Sequence, residues 1–135
     1  MSETDLQIEV DVNPTEDKEK VAKAVENVFG NMEFELKLQD GRKLLVARVK
    51  DVAGVTKFGD LLRKERIRDA ARHVLFDGIN RKKLTFYLNK QVAYTGHISF
   101  SNPTGESPLG PIKVQISCNN PVELIDWLAP KTARL

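Results

Sequence analysis

The sequence predicts an α+β fold, a two-layer sandwich in which a mainly antiparallel sheet is covered by helices. Three observations carry that prediction. Apolar and polar residues alternate in several short segments, apolar residues recur at helical spacing in others, and the two kinds interleave in the order β-α-β-β-α-α-β-β-β-α. Leu6, Ile8, Val10 and Val12 alternate with Gln7, Glu9 and Asp11, the period of a strand with one buried face. Asn13-Pro14-Thr15 interrupts it, and Thr15 is placed to cap a helix whose first turn holds Glu16 and Asp17, favourable for the helix dipole. That helix runs to about Phe29, with Val21, Val25, Val28 and Phe29 on one face and Glu19, Lys20, Lys23, Glu26 and Asn27 on the other. Gly30 supplies its stop.

Met32, Phe34, Leu36 and Leu38 alternate with Glu33, Glu35 and Lys37, and Asp40-Gly41 separates them from the run Leu44 to Val49. Asp-Gly favours the type I′ turn that matches strand twist, so this is a β-hairpin. After a loop at residues 51–54, Thr56 to Phe76 is helical in period, but one continuous helix would set Arg63 and Lys64 among Ile67, Ala71 and Val74. A break near Arg63 to Glu65 is therefore expected, between a helix burying Phe58, Leu61 and Leu62 and one burying Ile67, Ala70, Ala71, Val74 and Leu75. Asp77-Gly78 ends it. Leu84, Phe86 and Leu88 mark a strand, Tyr94, Ile98 and Phe100 another, and Ile112 to Ser117 a last one after an exposed Gly- and Pro-rich loop at residues 102–111. Asn120-Pro121 opens a final helix, with Val122, Ile125, Leu128 and Trp127 as docking residues, and residues 131–135 form a frayed tail. No repeat or linker divides the chain, so residues 1–135 form a single domain.

Composition narrows the classes. The 135 residues carry 21 Lys and Arg against 19 Asp and Glu, a net charge of +2, with 41% hydrophobic and 30% charged residues. A domain of this size buries about 70% of its unfolded-chain surface and needs neither disulfide nor metal to build a core. One cysteine, Cys118, excludes a disulfide framework, and neither a leader over Met1 to Asp11 nor an apolar run of about 18 residues is present. Cytoplasmic residence without membrane insertion is expected.

Catalytic chemistry has no constellation to work with. The two histidines, His73 and His97, are far apart in sequence, and no Gly-rich phosphate loop opens a helix. His97, Ser99 and Asp126 do not make a triad without an elbow to fix them, so His97 is read as a solvated strand residue and Cys118 as a small core residue. No cofactor or metal is expected, and the protein is read as a non-enzyme.

Charge is more informative. Residues 1–19 hold seven acids and one base, a local balance of −6. Residues 63–83 reverse it, with Arg63, Lys64, Arg66, Arg68, Arg72, Arg81, Lys82 and Lys83 against Glu65, Asp69 and Asp77, a balance of +5. Such a segment could grip phosphates with salt-sensitive affinity. It could equally be a solvated helix face, with Asp69 pairing Arg72 and His73, and Glu65 pairing Arg68. Phe86 and Tyr87 point to opposite sides of their strand, so only Tyr87 is wet, and the RNA-recognition-motif pattern is absent.

Several stretches are distinctive when taken in order: Val12-Asn13-Pro14-Thr15-Glu16-Asp17, Ile67-Arg68-Asp69-Ala70-Ala71-Arg72, Leu88-Asn89-Lys90-Gln91 with Ala93, Ser107-Pro108-Leu109-Gly110-Pro111-Ile112 and Ile125-Asp126-Trp127-Leu128-Ala129-Pro130. Together they resemble the archaeal uncharacterised-protein family UPF0201 over nearly the whole chain. The resemblance implies a fold related to the large-subunit ribosomal protein that binds 5S rRNA, and a homodimer. It carries over no catalytic residue. Read on their own, Asn89-Lys90-Gln91 suit a strand end whose amides satisfy loose backbone groups, and Asp126 suits a local cap or pair. Two functions are therefore expected in competition: a non-enzymatic binding module touching structured RNA through the eight cations, or a homodimeric assembly factor that binds no nucleic acid.

Overall fold

The computed structural model describes residues 4–50, 53–102 and 110–130. Its elements are β1 (Asp5–Val12), α1 (Lys18–Phe29), β2 (Phe34–Gln39), β3 (Arg42–Val49), α2 (Ala53–Lys64), α3 (Arg68–Asp77), β4 (Ile79–Asn80), β5 (Lys83–Asn89), α4 (Lys90–Tyr94), β6 (Pro111–Ser117) and α5 (Pro121–Leu128). The strands form one antiparallel sheet in the order β2-β3-β1-β6-β5-β4, and the helices cover one face, giving the α+β sandwich.

The alternation read from β1 becomes a set of rows across the sheet. Leu6 lies opposite Val49 and Ile116, Ile8 opposite Ala47 and Val114, and Val10 opposite Leu45 and Ile112. Leu84, Phe86 and Leu88 extend these rows into β5. Because paired residues share a face, one register error would turn every apolar side chain to water, so the pattern also fixes the pairing. Phe29, Phe58 and Phe86 stack at centroid distances of 5.3 and 5.2 Å, and Phe100 meets Phe86 edge-on at 5.9 Å. This aromatic line ties α1, α2 and the sheet together.

The hairpin turn is as expected, with Asp40 and Gly41 both left-handed at φ 52° and 77°, although β2 starts at Phe34 and leaves Met32 outside it. The two central helices break as expected, α2 ending at Lys64 and α3 starting at Arg68. Other expectations are corrected. Asp17, not Thr15, caps α1, its carboxylate accepting the Glu19 N–H at 3.0 Å. The strand expected at Tyr94, Ile98 and Phe100 is replaced by α4 and a turn at Gly96, φ 89°, which leaves only Phe100 bridging Leu88. Asn89 causes this, since its side chain accepts the Val92 N–H at 2.9 Å and starts a helix where the strand ends. In α3, Ala71 and Leu75 are buried while Ala70 is exposed. In α5 the buried stripe is Pro121, Leu124, Ile125 and Leu128, whereas Val122 and Trp127 face outward, 47% and 42% exposed. The expected tail lies outside the described residues, as do residues 51–52 and 103–109 of the two expected loops.

Candidate nucleic-acid interface

The eight basic residues do not form one patch. The structure holds them on a frame made by α3 and β5, and divides them between its ends. At one end, α2 finishes with Arg63 and Lys64, the chain turns through Glu65-Arg66-Ile67, and α3 starts at Arg68. The turn is fixed by its backbone: the Arg66 N–H donates to the Arg63 carbonyl at 3.1 Å and the Ile67 N–H to the Leu62 carbonyl at 3.3 Å. Arg66 sits at φ 57°, a conformation usually left to glycine. The Glu65 carboxylate points inward, accepting the Ile98 N–H at 3.1 Å and bonding to His97 Nδ1. Neither the expected Glu65–Arg68 pair nor a strand histidine is found. His97 is exposed but held by α2's end, because Glu65 is drawn to the unpaired Ile98 N–H that the α4 turn leaves.

At the other end, α3 finishes beside the start of β5, where the Thr85 N–H donates to the Gly78 carbonyl at 3.0 Å. Asn80 pairs Lys83 across the Arg81-Lys82 turn. The Lys82 carbonyl accepts the Cys118 N–H at 3.0 Å, anchoring the turn to the strand end of β6. Arg81 is again left-handed, φ 60°, and Arg81, Lys82 and Lys83 are exposed. Nearby, Arg48 is spent on Asp5, whose carboxyl it holds below the ordinary carboxylate range through hydrogen bonds and charge.

Two of the eight cations have an acidic partner, Arg63 on the surface and Arg72 within the fold. Arg63 pairs with Asp60. Arg72 is only 17% exposed in its side chain, pairs with Asp126 at 2.7 Å, donates to the Ala129 carbonyl at 3.1 Å and lies over the Phe76 ring. Asp126 thus joins α5 to α3 instead of capping locally, and His73 pairs with Asp77. The remaining six, Lys64, Arg66 and Arg68 at one end and Arg81, Lys82 and Lys83 at the other, form no ion pair with described residues. The ten residues of α3 set the groups about 15 Å apart at 1.5 Å rise per residue.

A second convergence was not read from the sequence. The segments Asn13 to Asp17 and Asn89 to Gln91 meet at the end of β1, where Lys90 is 3% exposed. Its ammonium donates to Glu16 Oε1 at 2.9 Å, Oε2 at 3.2 Å and the Asp11 carbonyl at 2.8 Å. Glu16 also accepts the Asn13 N–H at 3.0 Å and Asn13 Nδ2 at 2.8 Å. Burial raises the Glu16 pKa, but the donors from Asn13 and Lys90 outweigh it and hold the carboxyl below its ordinary value. A groove of about 290 Å³ borders the pair, lined also by Thr15, Asp17, Lys20, Val21, Ala24, Gln91 and Tyr94. Charge and hydrogen bonds are satisfied internally, which makes the pair a lock on the sheet's end. Among the described residues no three His, Cys, Asp or Glu side chains gather to hold a metal ion, and no helix is long and apolar enough to cross a membrane. Cys118 is buried, and burial pushes its thiol pKa up.

A protein-family model described as RNA binding matches residues 5–118. The UPF0201 protein of Sulfurisphaera tokodaii is 46% identical over 131 residues, covering 97% of this chain and 90% of that protein. The UPF0201 protein of Sulfolobus acidocaldarius is 45% identical over 127 residues, covering 94% and 88%. The crystal structure of the UPF0201 protein from Methanococcus jannaschii matches with a TM-score of 0.84 at 34% identity, covering 96% of this chain and 95% of that one. With relatives this similar along nearly its whole length, and a fold shared with a solved member, the chain belongs to the UPF0201 family.

Proposed function

We propose that the chain is a non-enzymatic binding module that makes weak, salt-sensitive contact with structured RNA through the two cation groups at the ends of α3. One observation carries the reading: each group contains an exposed arginine in left-handed backbone, Arg66 and Arg81, where glycine would relieve the strain. Holding a non-glycine residue there costs on the order of 1 kcal/mol, and the arginine keeps a cation at the turn's tip. The family model's description as RNA binding supports the same reading, and the likeness to the ribosomal 5S-rRNA-binding fold that the sequence resemblance implies belongs with it. The contact is to phosphates and shape, since Phe86 is buried and Tyr87 lies half-buried on the open face of the sheet.

The test is binding of a labelled structured RNA pool across a salt series. Six phosphate contacts give a log–log salt slope of about −4 to −5, and each triple reversal, Lys64→Glu/Arg66→Glu/Arg68→Glu or Arg81→Glu/Lys82→Glu/Lys83→Glu, removes about half of it or abolishes binding. No saturable binding at low salt, or binding that both variants leave undiminished, overturns the proposal.

A second reading, homodimeric assembly, is favoured by a different observation. The edge strand β2 exposes Leu36 by 43% and Leu38 by 76%, apolar surface that a protein of this size has reason to cover.

A further inference from the structure

We infer that the groove between α1 and α4 takes one unpaired base of a bound RNA, stacked on Tyr94, so that the RNA this chain recognises carries a single-stranded nucleotide beside its paired part. The inference rests on the RNA reading and names the class of RNA. The groove, about 290 Å³, is at the small end for a ligand pocket and has room for a base with its sugar. Val21 and Ala24 of α1, both buried, form its floor, and Tyr94, 45% exposed, stands in its wall. The sheet offers RNA no ring as open as this one, since Phe86 is buried and Tyr87 half-buried. Thr15 and Gln91 bring a hydroxyl and an amide to the same groove, groups that both donate and accept at the polar edge of a base.

The walls are set before anything binds. Glu16, just ahead of α1, holds Lys90 at the start of α4. Asn27, late in α1, donates through Nδ2 to the carbonyls of Ala93 at 3.1 Å and Tyr94 at 3.0 Å. The ring therefore stands on fixed backbone, and seating a base beside it needs little ordering. Charge then selects a nucleotide over another flat molecule. Lys20 lines the groove seven residues before Asn27, on the same side of α1 and about 10 Å along its axis. It is exposed and forms no ion pair with described residues. Of the two acids on the groove, Glu16 is neutralised by Lys90, and Asp17 accepts the Glu19 N–H. At its Tyr94 end the groove approaches the first cation group. The chain turns at Gly96, and His97, at most about 11 Å beyond Tyr94, bonds to the carboxylate of Glu65, the residue between Lys64 and Arg66. A strand with its base on Tyr94 thus finds phosphate partners in Lys20 and in Lys64, Arg66 and Arg68. A stacking ring flanked by cations is the combination that single-stranded nucleic acid requires.

The test compares a blunt RNA duplex with the same duplex carrying a short single-stranded extension, both titrated with the full chain at low salt. The extension is expected to tighten binding about tenfold or more, and 4-thiouridine within it to cross-link to the peptide that contains Tyr94. Tyr94→Ala removes that gain and leaves binding of the blunt duplex as it was, whereas Tyr94→Phe keeps the gain; an unchanged Tm shows that both variants fold. Lys20→Glu lowers the log–log salt slope for the extended RNA by about 1. Equal affinity for the two RNAs, or a gain that Tyr94→Ala leaves intact, overturns the groove site and leaves the RNA reading standing. Displacement of the extended RNA by nucleoside monophosphates at equal concentration assigns the groove to a free nucleotide and overturns the inference as well. No binding of either RNA at low salt overturns both.

Discussion

Glu16→Gln is expected to cost more stability than removal of the whole ion pair it belongs to. In the native chain the Lys90 ammonium has given up water, its side chain 4% exposed, and is held by Glu16 and the Asp11 carbonyl. Glutamine keeps the shape but leaves the cation buried without its counter-charge, a loss of about 3 kcal/mol. For 135 residues and an unfolding entropy of about 2.1 cal/mol/K per residue, that lowers Tm by about 10 °C. Lys90→Met leaves Glu16 still accepting two hydrogen bonds from Asn13 and costs about 1–2 kcal/mol. The double variant buries no charge, so it should be more stable than Glu16→Gln alone. Urea unfolding of the four proteins at pH 7 supplies the cycle. The pH dependence has a fixed sign: the Glu16 carboxyl is held below its ordinary value of 4.5, so its stabilisation is complete above that pH and is lost as pH falls through the lowered native pKa. The gap between the native chain and Glu16→Gln should therefore close in acid. A Glu16→Gln protein within about 1 kcal/mol of the native chain, or a double variant that is merely additive, would refute the reasoning.

Two further substitutions probe the frame that positions the cations. Gly78→Ala sets a Cβ 2.0 Å from the Thr85 carbonyl oxygen, so α3 and β5 must part; a loss of about 3 kcal/mol or more is expected in urea unfolding. Gly41→Ala is the comparison, with open space around it but φ 77°, and should cost only about 1 kcal/mol. Arg72→Met removes the Asp126 pair and the bond to the Ala129 carbonyl, and should cost about 1–2 kcal/mol while leaving the RNA salt slope unchanged. A lower slope would place Arg72 on the contact surface.

The fold was legible where a period or a turn chemistry spoke for itself. Alternation in β1 and β5, helical spacing in α1, the Asp40-Gly41 turn and the conflict of Arg63 and Lys64 with an apolar stripe all describe local geometry that the tertiary structure keeps. The misses occur where one hydrogen bond decides among short alternatives. The Asn89 side chain turns the chain into a five-residue helix, too short to show a period, and the two-residue β4 is defined by its pairing with β5. In α5, an eight-residue helix offers two apolar stripes, one through Val122 and one through Leu124, and burial chooses the second. The site was legible as composition and not as geometry. The eight cations are consecutive enough to read as one segment, but α3 carries them to two ends, and Arg72 faces Asp126, a partner 54 positions further along the chain. Lys90 and Glu16 escaped because each, alone, looks like a surface residue; the signal was their presence in two distinctive stretches.

The two surfaces do not compete for the same part of the molecule. β2 lies at one edge of the sheet, whereas β4 and β5, with the Arg81-Lys82 turn, lie at the other. At about 4.8 Å between strands, five intervals separate the edges by about 24 Å, so the exposed leucines of β2 and the Arg81-Lys82 turn are separate surfaces. The modest charge of +2, a poor match for a tight monomeric nucleic-acid binder, is consistent with recognition that depends on the spacing of two small basic groups and not on an overall positive field.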